Sequence, residues 1–208
     1  YLNLSRFTPG ARQDLALIID GSTSMSIMAD GETNFERAVE EARTLIKRAP
    51  RGHAFSLILG GPSPTGIILD PTTDRAELET ALDDLAPIDG AMATYQTFTL
   101  ASLGLARGDN PAKQIVILTD EQNIGWEIGK AGQWSFLRDA FQNLTTEPQI
   151  LLRKLPLPDY IRNLAVTDVT FSREIVGVDR PVDIAVTVRN TGNEAVTPSA
   201  LLLSVGEN

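Results

Sequence analysis

At 208 residues the chain has room for one substantial domain with its own core and part of a second. With 42% hydrophobic and 22% charged residues it reads as globular, and a net charge of −9 disfavours nucleic-acid binding or attraction to an anionic membrane while suiting cations. The absence of cysteine removes disulfides, thiolate catalysis and Cys-based zinc sites, and no apolar run approaches the ~20 residues of a membrane-spanning helix.

Tyr1 to Gln13 is a polar lead-in with a turn signal at Pro9-Gly10. Asp14 to Asp20 carries the apolar run Leu15 to Ile19, the pattern of a buried parallel strand, and opens onto the oxygen-rich stretch Asp20-Gly21-Ser22-Thr23-Ser24. After a turn at Asp30-Gly31, Thr33 and Glu36 have the spacing of a capping box. The helix they start has Phe35, Ala38, Val39, Ala42, Leu45 and Ile46 on one face, with Arg37, Glu40, Glu41 and Arg43 toward water, and stops before Pro50.

Ala54 to Gly60 and Thr65 to Leu69 are strands whose connector, Gly60 to Pro64, is too short for a crossover helix; an antiparallel hairpin is predicted. Thr73 is the expected cap of a helix over Asp74 to Leu85, with Leu78, Leu82 and Leu85 inward. Thr94 precedes Tyr95 to Ala106, apolar nearly all round and so a buried central helix. Lys113 to Asp120 is a second continuous apolar strand, expected beside the first. Trp134, Leu137, Phe141 and Leu144 mark another helix, and Gln149 to Leu152 a fifth strand.

Leu155-Pro156-Leu157-Pro158 opens a stiff linker, residues 155–162. From about Asn163 the period changes to two, with Val182, Ile184, Val186 and Val188 alternating and a turn signal between strands at Asn190 to Asn193. Residues 163–208 resemble part of an immunoglobulin-like module of bacterial surface proteins. A few strands with one uncovered apolar face are expected to continue into more chain, or to dock on the first domain or another copy. A chain that begins at Tyr1 without Met and ends in an unfinished sheet is expected to be a piece of a longer protein.

Asp20, Ser22 and Ser24 sit at i, i+2 and i+4, which in an extended segment puts three oxygens on one side. Oxygen-only donors select a hard cation. Asp-x-Ser-x-Ser after a hydrophobic strand resembles the metal-ion-dependent adhesion site of von Willebrand factor type A (vWA) domains. That family adds a Thr from a later loop and an Asp from the end of a further strand; Thr94, preferred to Thr97 and Thr99 because it precedes the helix, and Asp120 match them. Glu121 stands where the family often has Gly.

The resemblance implies an α/β fold over residues 14–154: an open, mostly parallel, Rossmann-like sheet with helices on both faces. It also implies a sixth strand and a final helix, for which the sequence has no match. The implied metal ligands are Asp20, Ser22, Ser24, Thr94 and Asp120, holding Mg²⁺ first, with Mn²⁺ or Ca²⁺ as alternatives. The implied function is non-enzymatic adhesion or scaffolding, the cation bridging to an Asp or Glu of a partner protein. With at most two carboxylates, one of them able to act through water, a divalent ion is not fully neutralised, which suits that role. A further likeness to bacterial envelope proteins of the aerotolerance-operon type places the domain on the extracytoplasmic side of the cell envelope, anchored by segments outside this stretch.

Other readings of the same residues give different expectations. Ser22 and Ser24 could merely cap the following segment while Asp20 satisfies loop amides, making a structural module. A Mg²⁺-dependent phosphotransferase or hydrolase could use Asp20, although such enzymes generally need a second acid where Ser22 stands. His53, the one histidine, is expected at the surface and at the opposite end of the sheet from Ser22; Gly-x-Ser-x-Gly is absent. Gly60-Gly61 lacks the Lys-Ser or Lys-Thr of a phosphate loop and reads as a hairpin turn. Trp126 and Trp134 could form an exposed patch near the third arm of the site; Trp134 favours the core and Trp126 stays open between the two.

Overall fold

The structure is a computed structural model and describes residues 11–29, 31–120, 125–155, 159–173, 181–198 and 200–202. The chain divides into two compact units, Tyr1–Leu157 and Pro158–Asn208. In the first, β1 (Gln13–Asp20) is followed by the short pair β2 (Met28–Ala29) and β3 (Glu32–Thr33), then α1 (Asn34–Arg48), β4 (Ala54–Gly60), β5 (Thr65–Thr72), α2 (Arg75–Asp83), α3 (Thr94–Ala106), β6 (Ala112–Thr119), α4 (Ala131–Gln142) and β7 (Gln149–Lys154).

Five of these strands form one sheet in the order β5-β4-β1-β6-β7. β1 runs parallel to β4 and β6, β6 parallel to β7, and β5 antiparallel at one edge. This is the mostly parallel sheet expected. The central strands β1, β4 and β6 are buried along their whole length, which is why they read as unbroken apolar runs. Alternation still sorts their side chains: Leu15, Leu17, Ile19, Val116 and Leu118 pack with α1 and α2, while Ala16, Ile18, Ile115 and Ile117 pack with α3 and α4.

Local chemistry sets the element ends. The capping box forms as read, with Glu36 N donating to Thr33 Oγ1 at 3.1 Å and Thr33 N to Glu36 Oε2 at 2.7 Å. These bonds from Thr33 hold the Glu36 carboxyl below its usual range. Several boundaries differ from expectation by one to three residues. Asp74, not Thr73, caps α2, its Oδ1 accepting from Ala76 N and Glu77 N at 2.9 and 3.2 Å; an ionised acceptor at the positive helix end wins over a hydroxyl. β5 runs on to Thr72, pairing Phe55 with Thr72, where the sequence had suggested Leu69.

The charges on α1 are not simply solvated. Arg43 is half-buried and pairs with Glu79 and with Asp83 of α2, the latter at 2.8 Å, and these contacts raise its pKa. Glu41 pairs with Arg153 of β7 at 2.6 Å. His53 is likewise corrected: it is only 6% exposed. It lies where expected along the sheet, one residue before the Ala54 that pairs with Asp14. Its backbone is held on both sides, N donating to Pro50 O at 3.3 Å and O accepting from Arg75 Nη2 at 3.5 Å. Burial, then the Arg75 charge, push the imidazole pKa below its ordinary value against an opposing pull from Asp14.

In the second unit, β8 (Leu164–Phe171) and β9 (Ile184–Asn190) pair antiparallel from Leu164 with Asn190 to Phe171 with Ile184. Val166, Val169, Phe171 and Val188 are exposed on this two-stranded sheet. The turn residues Asn190 to Asn193 follow β9, with Gly192 N donating to Asn190 Oδ1 at 2.9 Å, but among the described residues no strand comes after them. Pro9-Gly10, Asp30, Glu121 and the linker residues Pro156 and Pro158 lie outside the described residues. No described helix is long and apolar enough to cross a membrane.

Candidate metal centre

Parallel pairing in register brings the carboxyl ends of β1, β4 and β6 to one pole: Asp20 stands opposite Gly60, and Ile19 opposite Leu118. Asp20 is 3% exposed and both of its carboxylate oxygens are held. Oδ1 accepts from Ser22 N at 2.9 Å and Oδ2 from Thr119 Oγ1 at 2.6 Å, so the first loop is tied to the end of β6 by its own acid. Asp120, the next residue, is 2% exposed. The acids are therefore carried into the protein interior at the ends of adjacent strands.

The Ser22 and Ser24 hydroxyls lie 3.1 Å apart. Ser22 stands before a 3₁₀ turn, Thr23–Ser26, but its side chain makes no capping bond to that turn. Asp20 does satisfy a loop amide, as the structural reading expected, whereas Ser22 does not act as a cap. Thr94 is fully buried as the first residue of α3, and its hydroxyl makes only a long contact, 3.4 Å, to Met92 O. Thr97 and Thr99 donate instead to the carbonyls of Ala93 and Tyr95, each at 2.9 Å, which commits them to the helix backbone.

Backbone bonds join the three loops. Thr23 N donates to Gly90 O at 3.0 Å, Gly90 N to Thr23 Oγ1 at 2.7 Å, and Ile88 N to Gly21 O at 2.7 Å. Thr94 N reaches Gly125 O at 3.4 Å, across to the segment after β6. The Gly60-Gly61 pair does more than turn a hairpin: Gly60 O accepts from Gly21 N at 2.7 Å and Gly61 O from Ala93 N at 2.9 Å. Gly21 must be glycine for this, because a Cβ there would come within 2.8 Å of Gly60 O. Sequence reasoning missed the role of Gly60 and Gly61; two adjacent glycines at a carboxyl strand end, next in register to the Asp, were the available signal.

Between the first two loops lies a cleft of about 230 Å³ lined by Asp20, Ser22, Thr23, Ser24, Gly90, Ala91, Met92 and Trp126. Trp126 thus belongs to the site's wall, and its ring also meets Phe98 at 6.3 Å. Among the described residues no lysine or arginine lines the cleft. Among the described residues no group of three or more His, Cys, Asp or Glu is placed to hold a metal ion. The donor set is two buried carboxylates with hydroxyls. That composition fits a hard, oxygen-seeking divalent ion and is wrong for zinc or copper.

The family model described as the von Willebrand factor type A domain matches residues 15–122, more than half of the chain and the whole of the segment that builds the cleft loops up to Asp120. The chain belongs to the von Willebrand factor type A family. Domains of this family generally serve as adhesion or scaffold modules that bind other proteins. No match was found among curated protein sequences.

Solved structures share the vWA fold. The conserved hypothetical protein BatB from Bacteroides thetaiotaomicron is similar at 14% identity and a TM-score of 0.59, over 85% of this chain and 80% of that one. An aerotolerance-related membrane protein from Bacteroides fragilis, with multiple mutations to serines, is similar at 18% identity and a TM-score of 0.59, over 84% and 80%. The von Willebrand factor type A protein from Catenulispora acidiphila gives 18% identity and a TM-score of 0.55, over 69% of this chain and 33% of that one, so the chain spans about a third of its length.

Proposed function

We propose that this vWA domain is a non-enzymatic, cation-dependent protein-binding module whose cleft accepts an Asp or Glu side chain of a partner. The residues that would hold the cation are Asp20, Ser22, Ser24, Thr94 and Asp120, with Mg²⁺ the expected ion and Mn²⁺ or Ca²⁺ able to substitute. The observation that carries the reading is the tying of Asp20 to Thr119, beside the buried Asp120, at the rim of a hydroxyl-lined cleft with no basic side chain among the described residues. Five side-chain oxygens would leave a six-coordinate divalent ion one open position, which a partner carboxylate could fill.

The chain's own residues do the rest. Thr119 and the Ser22 amide orient Asp20, the Gly60 and Gly61 carbonyls hold the first and second loops at the strand ends, and Trp126 walls one side. A phosphotransferase is less well served: Ser22 occupies the place of the second acid, and among the described residues the cleft offers no Lys or Arg to a phosphoryl group. The likeness to an aerotolerance-related membrane protein supports a place at the extracytoplasmic side of the cell envelope.

A ligand that binds only the folded state must raise its melting temperature. With Mg²⁺ or Mn²⁺ at about a hundred times its dissociation constant, stability should rise by about 2.7 kcal/mol. For a domain of this size that is a shift of roughly 5–10 °C relative to EDTA. Equal melting in both conditions contradicts the proposal. Phosphate-ester turnover that disappears in Asp20→Ala would favour the enzyme instead.

A further inference from the structure

At the amino ends of β1 and β6, the pole opposite the cleft, lies a buried charge cluster that the cation centre does not touch. Asp14 and Lys113, each 1% exposed, are register partners on the two strands. Lys113 Nζ donates to Asp14 Oδ2 at 2.7 Å and to Gly108 O at 2.6 Å. Asn110 donates to the same carboxylate twice, from N to Oδ2 at 3.0 Å and from Nδ2 to Oδ1 at 2.8 Å, and its Nδ2 also lies 3.1 Å from Gln13 O and 3.0 Å from Gly52 O. The loop is drawn so close that a Cβ on Gly108 would collide with the Asp14 carboxylate. A buried ion pair of this kind adds little stability over apolar residues of the same size; its better-attested use is to select one arrangement among several.

We infer that Asp14, Lys113 and Asn110 are positioning residues for the proposed cation centre, holding its three arms in one alignment from about 20 Å away, the length of six residues of strand. The inference rests on the proposed reading of the cleft. Topology is the first argument. Gly108 and Asn110 belong to the loop that follows α3, so the cluster fastens β1, β6 and the end of α3 together, and the other ends of these three elements carry Asp20, Asp120 and Thr94. Register is the second. Leu15 to Ile19 and Ile115 to Leu118 are apolar toward both layers, so a slip between β1 and β6 would still leave apolar side chains on each face, and the hydrophobic pattern alone does not choose one pairing. A slip of one residue would carry Asp120 about 3.3 Å along Asp20 and part Asp20 from Thr119. Charged partners at one end and the Asp20–Thr119 bond at the other make a single register the satisfied one.

The test removes the pair without leaving a lone buried charge: Asp14→Leu combined with Lys113→Met in the full chain, with folding checked by circular dichroism. Two readouts a merely structural pair would not move are Mg²⁺ affinity by calorimetric titration and the backbone amide resonances of Ser22, Thr94 and Thr119 at the far pole. The double variant is expected to stay folded, to bind Mg²⁺ about tenfold more weakly, and to show shifted or doubled resonances for those three residues. Wild-type affinity with unchanged far-pole resonances overturns the proposal, whatever happens to the melting temperature. Should the double variant not fold, Asn110→Ala decides: at a half-buried loop position it loosens the cluster without altering either strand, and it should weaken Mg²⁺ several-fold and shift the same resonances. No change in either readout overturns the proposal there too. If the wild type itself takes up no Mg²⁺, the cation reading fails on its own, and the far-pole resonances of the variants still decide whether the cluster sets the alignment.

Discussion

Asp20 is fixed by two neighbours that are not themselves proposed to touch the cation, the Ser22 amide and the Thr119 hydroxyl. Partners of this kind orient a metal-binding carboxylate, and their loss commonly lowers metal affinity 10- to 100-fold. Thr119→Val keeps the shape of a buried strand residue and removes the 2.6 Å bond. Calorimetric titration of the variant should show Mg²⁺ affinity at least about tenfold weaker, with the fold retained by circular dichroism. At the other pole, His53 gives a pH dependence unrelated to the cation. Its folded pKa lies below the ordinary 6.5, so the unfolded chain takes up the proton first as pH falls. The stability it contributes is complete above about 6.5 and is lost as pH drops through the lower, folded value. Melting in EDTA between about pH 7.5 and 5.5 should fall with acidity in the wild type, and less steeply in His53→Leu.

At the scale of elements, the site loops depend on helices held by charge as well as by apolar packing. Arg43 links α1 to α2 through Glu79 and Asp83 while half-buried. Arg43→Met should cost about 1 kcal/mol, read as a loss of roughly 2–4 °C in melting temperature, because only a partly screened network is removed. The sequence could not foretell this pairing: an Arg on a polar helix face looks solvated until the neighbouring helix is known. The adjacency of β1 and β6 was legible, since Leu15 to Ile19 and Ile115 to Leu118 are too apolar to be anywhere but central, and so was the β4–β5 hairpin, from its short connector. The start of α1 was legible because its capping box is contiguous in sequence, whereas the start of α2 was misjudged by one residue where Thr73 and Asp74 compete. His53 was taken for a surface group because one histidine carries no periodic signal, and the Arg75 that approaches it comes 22 residues later. Of the site, Asp20, Ser22 and Ser24 share one cleft, and Thr94 and Asp120 sit at the same pole on loops tied to it. Of the walls, Trp126 had been left open between the core and a patch near the site and lines the cleft, whereas the Gly60-Gly61 pair was read only as a hairpin turn, because its carbonyl partners exist only once β4 flanks β1.

Across the whole molecule, the first unit has a two-sided core, with one cluster on each face of its sheet, and the second is a two-stranded ribbon with exposed Val166, Val169, Phe171 and Val188. A ribbon of that size contributes little independent stability. The proposed binding falls to the first unit, where the loop after β1, the loop between α2 and α3 and the end of β6 meet beside two buried acids. That claim is tested most directly by isothermal calorimetric titration of Mg²⁺, then Mn²⁺, into the wild type and into Asp20→Ala, with folding of the variant checked by circular dichroism. Saturable one-site binding in the wild type and none in the variant is the expected result; equal heats in both, or no binding to either, would contradict it.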